Sequence, residues 1–308
     1  MGVRVKGYLL AILSSVSYGL IPLFVLPIKA AGFPMDTTLF YRFIIAALFM
    51  LAWLIYRKVS LKVSGGELLI LIALGVLFSL SSHFLFIGYD YSTPGIASTI
   101  LFVYPVIVAL LMWIFFKETI SRLTVLSLFI AIAGVFVLSA KESVTNINFP
   151  GIFFSLCSAF FYAIYIVLVN KGRLKIPGIL ITFYSMLFSA AYYLCKISIT
   201  GDVKVVPDGE MIINIAVFAF ATSVISITAL VAAIKLIGST PTSIMGAMEP
   251  VIAVAISVLL FNEKFTLSLF AGIAMILFGV ITNIVADSKK EAAQLNESPQ
   301  QANENIVH

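Results

Sequence analysis

The sequence predicts an all-α polytopic membrane protein with ten transmembrane helices arranged as two inverted five-helix repeats. Three observations carry that expectation: an apolar composition throughout, ten apolar stretches of membrane length, and a long match of the chain to itself. Of the 308 residues, 61% are apolar and 11% charged, with a mean hydropathy of +1.13, a balance that no water-solvated globule sustains. A hydrocarbon core about 30 Å thick takes about 20 helical residues to cross. Such stretches fall at 7–29, 37–56, 67–89, 95–116, 122–140, 150–170, 178–197, 210–234, 241–261 and 266–286. Barrel strands alternate apolar and polar residues, whereas these runs are apolar on every face, so helices are expected.

The first stretch follows Arg4 and Lys6, as a cleaved leader would, but it is long enough to span and nine more follow it. The fourth and ninth are preceded by Ser92-Thr93-Pro94 and Ser239-Thr240-Pro241, where a hydroxyl can cap and proline suits the first turn. After the tenth, 287–308 reads as a polar cytoplasmic tail. The self-match supports the order of the elements. Pro105-Val106-Ile107 through Glu118 to Gly134-Val135 recurs 145 residues later as Pro250-Val251-Ile252 through Glu263 to Gly279-Val280. Gly7, Ser14 and Tyr18 likewise align with Gly151, Ser158 and Tyr162 at an offset of 144, and Gly66-Glu67 with Gly209-Glu210. Residues 1–149 and 150–286 are therefore read as two copies of one unit. Five spans is an odd number, so the second copy enters the bilayer from the opposite side.

Lys and Arg set the orientation. With the amino terminus in the cytoplasm, thirteen fall on the inside, five outside and Arg42 within the membrane. Both termini are expected to be cytoplasmic, and the basic charge reflects topology and calls for no nucleic-acid partner. Cys157 and Cys195 lie in spans and make no disulfide framework.

Two five-helix halves, Arg42 early in the second span, Pro105 to Glu118 in the fourth and Glu249-Pro250 to Glu263 in the ninth resemble the EamA-type members of the drug/metabolite transporter superfamily, over roughly residues 7–286. The resemblance implies alternating-access movement of amino acids or other small metabolites, as export across the bacterial cytoplasmic membrane. It also implies a central cavity lined by helices one to four and six to nine, and no cofactor. The partners expected are a small-molecule substrate, the lipid bilayer and protons as coupling ion.

A charge in hydrocarbon costs at least about 2.5–3.5 kcal/mol and faces a cavity or a partner. Counting about 1.5 Å per residue, Glu249 lies about 12 Å into the ninth helix, near the midplane. Pro250 beside it removes a helical hydrogen bond and is expected to leave a free carbonyl. Glu249 reads either as a substrate or proton site or as a protonated packing element. The matching position of the first half is Tyr104, about 15 Å from its helix start, and Tyr18 and Tyr162 form a second symmetric pair at about 17–18 Å. These rings either stack on a substrate or pack the core. Arg42, about 9 Å below the outer surface, and His83, about 6 Å from it, share a depth where they could receive a carboxylate; otherwise Arg42 snorkels outward and His83 bonds a neighbouring helix. Pro22, Pro27, Pro105 and Pro250 are the candidate hinges.

Two other classes stay open: a membrane-embedded enzyme and a membrane scaffold. No metal-ligand spacing, nucleophile elbow or phosphate loop supports catalysis. Within transporters, a phosphorylated-sugar or nucleotide-sugar exchanger would need more midplane Lys and Arg than this chain carries.

Overall fold

Breaks within helices, more than the helices themselves, organise this molecule. The structure is a computed structural model that describes residues 2–91, 100–139, 149–201, 204–260, 266–267 and 270–286. The first span is two helices, α1 (Val3–Tyr18) and α2 (Ile21–Ala30). There follow α3 (Met35–Tyr56), α4 (Gly65–Tyr91), α5 (Tyr104–Phe116) and α6 (Arg122–Ser139). The second half opens with α7 (Phe149–Lys171) and α8 (Gly178–Thr200). Its next span is α9 (Gly209–Ala219), a π-helical segment (Phe220–Ile225) and α10 (Ser226–Ile237). Then come α11 (Ser239–Met245), α12 (Met248–Leu260) and α13 (Phe270–Ala286).

Six helical runs are long and apolar enough to cross a membrane: Val3–Ala30, Met35–Tyr56, Gly65–Gly88, Phe149–Lys171, Gly178–Thr200 and Gly209–Ile237. Tyr104–Phe116, Arg122–Val137 and Phe270–Ala286 are shorter apolar helices. The motif Ser92-Thr93-Pro94, Glu263 and the tail 287–308 lie outside the described residues.

Helix starts follow local chemistry. At α4 a capping box forms: Glu67 Oε2 accepts from the Ser64 backbone N–H at 2.9 Å and from its hydroxyl at 2.8 Å, while Ser64 Oγ accepts from the Glu67 N–H at 3.3 Å. Asp208 caps α9, accepting from the Met211 N–H at 2.7 Å. Ser239 departs from the expected capping role. The residue before α11 is Gly238 at φ +86°, and the Ser239 hydroxyl instead accepts from Asn170 Nδ2 at 3.0 Å.

The body is made of α1 against α10, α4 against α7 and α3 against α8; α5 lies on α7, and α11 packs on both α5 and α1. Its surface is apolar: Leu69, Phe115, Phe129 and Phe149 are exposed, as lipid contact demands. Trp53 and Trp113 are also exposed near the ends of α3 and α5 that carry Arg57 and Lys117, in keeping with an interfacial belt.

Contacts recur in exchanged pairs between the halves. Ser226 Oγ donates to the Ser14 carbonyl at 3.0 Å with the hydroxyls 3.2 Å apart; Ser158 Oγ donates to the Ser81 carbonyl at 2.7 Å with the hydroxyls 3.2 Å apart. Tyr41 donates to the Lys204 carbonyl at 3.3 Å, and Tyr184 to the Leu61 carbonyl at 2.7 Å. A Cβ built on Gly134 would lie 2.9 Å from the Gly272 carbonyl and from Ile276, and one on Gly279 would lie 2.8 Å from the Ser127 carbonyl and the Ala131 nitrogen. In each case the two residue pairs are related by the repeat offset, with donor and acceptor interchanged in the serine pair. One departure is consistent: α1–α2 and α9–α10 are interrupted, whereas the related α7 and α4 run unbroken.

In hydrocarbon, such close backbone approach at glycine stands in for the hydrophobic effect that drives packing in water. Gly134→Val should therefore destabilise the fold by about 1–3 kcal/mol through overpacking. Gly66→Ala, where a Cβ meets nothing within 4 Å, should be neutral or slightly stabilising. Thermal unfolding in detergent micelles compares the two.

Candidate functional site

Proline lies just downstream of each of three interruptions. The chain turns at Gly19–Leu20 before α2, at Phe102–Val103 before α5 and at Gly246–Ala247 before α12. Pro22, Pro105 and Pro250 occupy the first turn of the helix that resumes. There the missing N–H removes no helical bond, while the ring blocks the helix from extending backwards. Pro27 differs, sitting inside an uninterrupted α2. The carbonyl expected to be free beside Pro250 is not free: the Gly246 carbonyl accepts from the Glu249 N–H at 2.9 Å, a tight bond that closes the turn.

The interruptions meet. A Cβ on Gly19 would lie 2.8 Å from the Glu249 carbonyl and 2.8 Å from Ile252 Cβ, and one on Gly246 would collide with the Tyr104 hydroxyl. Only glycine permits these approaches. Glu249, in the first turn of α12, is thereby carried into the interior at 8% exposure. Tyr18, Tyr104 and Tyr162 all lie within electrostatic reach of its carboxyl. The Tyr104 and Tyr162 rings meet edge to face with centroids 4.8 Å apart, and Tyr162 stacks on Tyr165 at 6.2 Å and 4°.

Arg42 closes the same cluster from α3 and is 2% exposed. Its Nε donates to Ser223 Oγ at 2.8 Å and its Nη2 to the Thr222 carbonyl at 3.4 Å, both from the π segment. The guanidinium lies 4.5 Å from the Phe218 ring centroid, 5.3 Å from Phe43 and 5.8 Å from Tyr18, so aromatic faces replace much of its hydration. A π turn displaces the carbonyl register by one residue, which turns Thr222 and Ser223 toward the arginine. Arg42 and Glu249, both described residues, form no ion pair with each other; the Tyr18 ring lies against the guanidinium and its hydroxyl within electrostatic reach of both charges.

Five of the six residues singled out from sequence, Glu249, Tyr104, Tyr162, Tyr18 and Arg42, thus belong to one cluster, buried except for the half-buried Tyr18. His83 does not. It lies toward the end of the bundle where α3 begins, and its Nδ1 accepts from Lys196 Nζ at 2.8 Å. The same ammonium contacts the Asp36 carboxylate at 2.8 and 2.7 Å, tying α3, α4 and α8 together. Sequence reasoning missed Thr222, Ser223 and Phe218. Nothing in a uniformly apolar span announces a π turn, although an adjacent Thr-Ser pair was the available signal. Among the described residues no group of three His, Cys, Asp or Glu is placed to hold a metal.

The sequence profile of the EamA-like transporter family matches residues 5–140 and again 149–285. The chain belongs to the EamA-like transporter family. Similar proteins include an uncharacterized transporter of Clostridium kluyveri, 24% identical over 92% of this chain and 94% of that protein. The uncharacterized transporter YvbV of Bacillus subtilis is 25% identical over 67% of this chain and 68% of its own length. Human solute carrier family 35 member G1 is 24% identical over 72% of this chain and 64% of its own. A crystal structure 17% identical to this chain shares its fold, with a TM-score of 0.81 over 94% of this chain and 99% of that one. The protein is an integral membrane transporter.

Ser223→Ala would strip Arg42 Nε of its partner and should cost about 1.5–3 kcal/mol, the range for a hydrogen bond to a charged group, read as a lowered unfolding temperature. Gly246→Ala should lower the unfolding temperature in detergent, because its Cβ would collide with the Tyr104 hydroxyl, and adding Tyr104→Phe should recover part of the loss.

Proposed function

We propose that this EamA-family protein is a secondary active transporter that exports a zwitterionic small metabolite, such as an amino acid, across the bacterial cytoplasmic membrane by alternating access. The observation that carries the reading is the convergence of three interrupted helices on buried Glu249, with Arg42 held nearby but unpaired to it. Interrupted helices at depth in a bilayer are tolerated where they are buried in protein or line a substrate path. In this reading Arg42 offers a fork to a carboxylate, Glu249 receives an ammonium or a coupling proton, and Tyr18, Tyr104 and Tyr162 form the walls. A single buried arginine suits one carboxylate better than the multiple charge of a phosphorylated sugar.

The ten spans form two inverted halves, 1–149 and 150–286, with both termini in the cytoplasm. The exchanged serine, tyrosine and glycine contacts support that arrangement, because a rotation that interchanges two halves produces contacts in such pairs. Rocking of one half against the other then uses the turns before Pro22, Pro105 and Pro250 as hinges. Relatives named as transporters weigh against the enzyme and scaffold readings.

Exchange in proteoliposomes, comparing wild type with Glu249→Gln at two pH values, tests the site. Loss of substrate binding at every pH assigns the glutamate to an ammonium; exchange that persists without pH-driven accumulation assigns it to a proton. Wild-type behaviour in both assays would remove Glu249 from the mechanism.

A further inference from the structure

Two fully buried hydroxyls beside the central cluster have only each other for company. Tyr165 and Ser185 are each 0% exposed; the Tyr165 Oη and the Ser185 Oγ face each other, too loosely to close a well-formed hydrogen bond, and neither bonds a third group among the described residues. Their neighbours behave differently. On α8 the hydroxyl of Thr182 donates to the Gly178 carbonyl at 3.2 Å, and that of Ser189 to the Gly75 carbonyl at 3.0 Å. The buried Tyr193 hydroxyl donates to the Ser79 carbonyl at 3.3 Å. A serine hydroxyl on a helix has a carbonyl one turn back within easy reach, and a buried tyrosine hydroxyl ordinarily finds a carbonyl on a neighbouring helix, so a pair that takes neither in a dry interior marks groups kept for something else.

Position within the duplicated unit says what that something is. The helices α3 and α8 both begin after a proline in extended conformation, Pro34 and Pro177. Aligning those prolines at an offset of 143 residues puts Phe40-Tyr41-Arg42 on Phe183-Tyr184-Ser185. The structure supports this register, because Tyr41 bonds the Lys204 carbonyl and Tyr184 the Leu61 carbonyl, positions also 143 apart. Ser185 is therefore the counterpart of Arg42. Tyr162 is the counterpart of Tyr18, and it carries Tyr165 stacked against it one turn on. The second half thus holds a copy of the arginine site in which the charge is replaced by a pair of hydroxyls. Close packing fixes it in place, since a Cβ on Gly75 of α4 would lie 3.0 Å from the Ser185 carbonyl.

We propose that Tyr165 Oη and Ser185 Oγ form a side-chain subsite for a neutral hydroxyl or amide on the transported molecule, opposite the charged end held at Arg42. This rests on the zwitterionic reading above. Both hydroxyls can donate and accept, which suits a group that does both and gives nothing to an apolar chain. Sites built to bond a substrate hydroxyl discriminate strongly against the analogue that lacks it.

Threonine and valine, alike in shape, are the probes. Wild type in proteoliposomes should exchange threonine at least about tenfold faster than valine at subsaturating concentration. In Ser185→Ala/Tyr165→Phe the ratio should fall to within about twofold of unity. The double variant should also unfold at or above the wild-type temperature, because it removes both members of a poorly bonded buried polar pair. An unchanged ratio in the variant, or no preference in wild type, overturns the subsite. If wild type moves neither probe, the subsite is overturned together with the zwitterionic reading on which it rests, whereas movement of both probes at equal rates overturns the subsite alone. Glu249→Gln run in parallel separates the two sites, since slowing of both probes at an unchanged ratio affects the charged end alone.

Discussion

A bilayer offers no water to a broken helix, and that constraint governs everything distinctive about this protein. Every unbonded N–H or carbonyl at depth costs several kcal/mol, so a transmembrane helix can stop and restart only where other protein covers the gap. The three turns at Gly19–Leu20, Phe102–Val103 and Gly246–Ala247 satisfy the rule by covering one another. Proline in the resuming turn needs no bond, glycine allows contact without a side chain, and the short Gly246 to Glu249 bond uses the remaining carbonyl. Glu249 is buried because its backbone had to be.

The same constraint accounts for how Arg42 is housed. A guanidinium in hydrocarbon needs acceptors for its donors and something polarisable for its faces. The π segment supplies the first through Thr222 and Ser223, and Phe218, Phe43 and Tyr18 supply the second. Backbone irregularity and buried charge therefore go together in both places: the turn before α12 carries the carboxylate, and the π turn holds the guanidinium.

Much of this was legible in the chain. Uniformly apolar runs identify membrane helices, and Pro, Glu and Gly at a fixed spacing expose the duplication, because those residues do not recur by chance in apolar sequence. Counting rise along a helix put Glu249 and Tyr104 near the midplane and made Tyr18 and Tyr162 a second symmetric pair, and the structure puts all four in one cluster. The same counting paired Arg42 with His83 and misled, since depth says nothing about azimuth: Arg42 faces α9 and the π segment, and His83 faces Lys196. The π turn was illegible because its hydrogen-bond register, and not its composition, distinguishes it. Ser239 looked like a cap, but the positive φ of Gly238 starts the helix one residue earlier than a hydroxyl cap would.

Duplication yields two copies of each part, and here the copies differ in helical continuity. A helix resists bending through its unbroken ladder of hydrogen bonds, and α4 and α7 keep theirs from end to end, packed along one another. Their counterparts, α1–α2 and α9–α10, meet on the other side with the ladder cut at Gly19–Leu20 and rewound at Phe220–Ile225. Compliance is therefore lopsided in a molecule whose blueprint is two-fold: one seam is a spine and the other a joint.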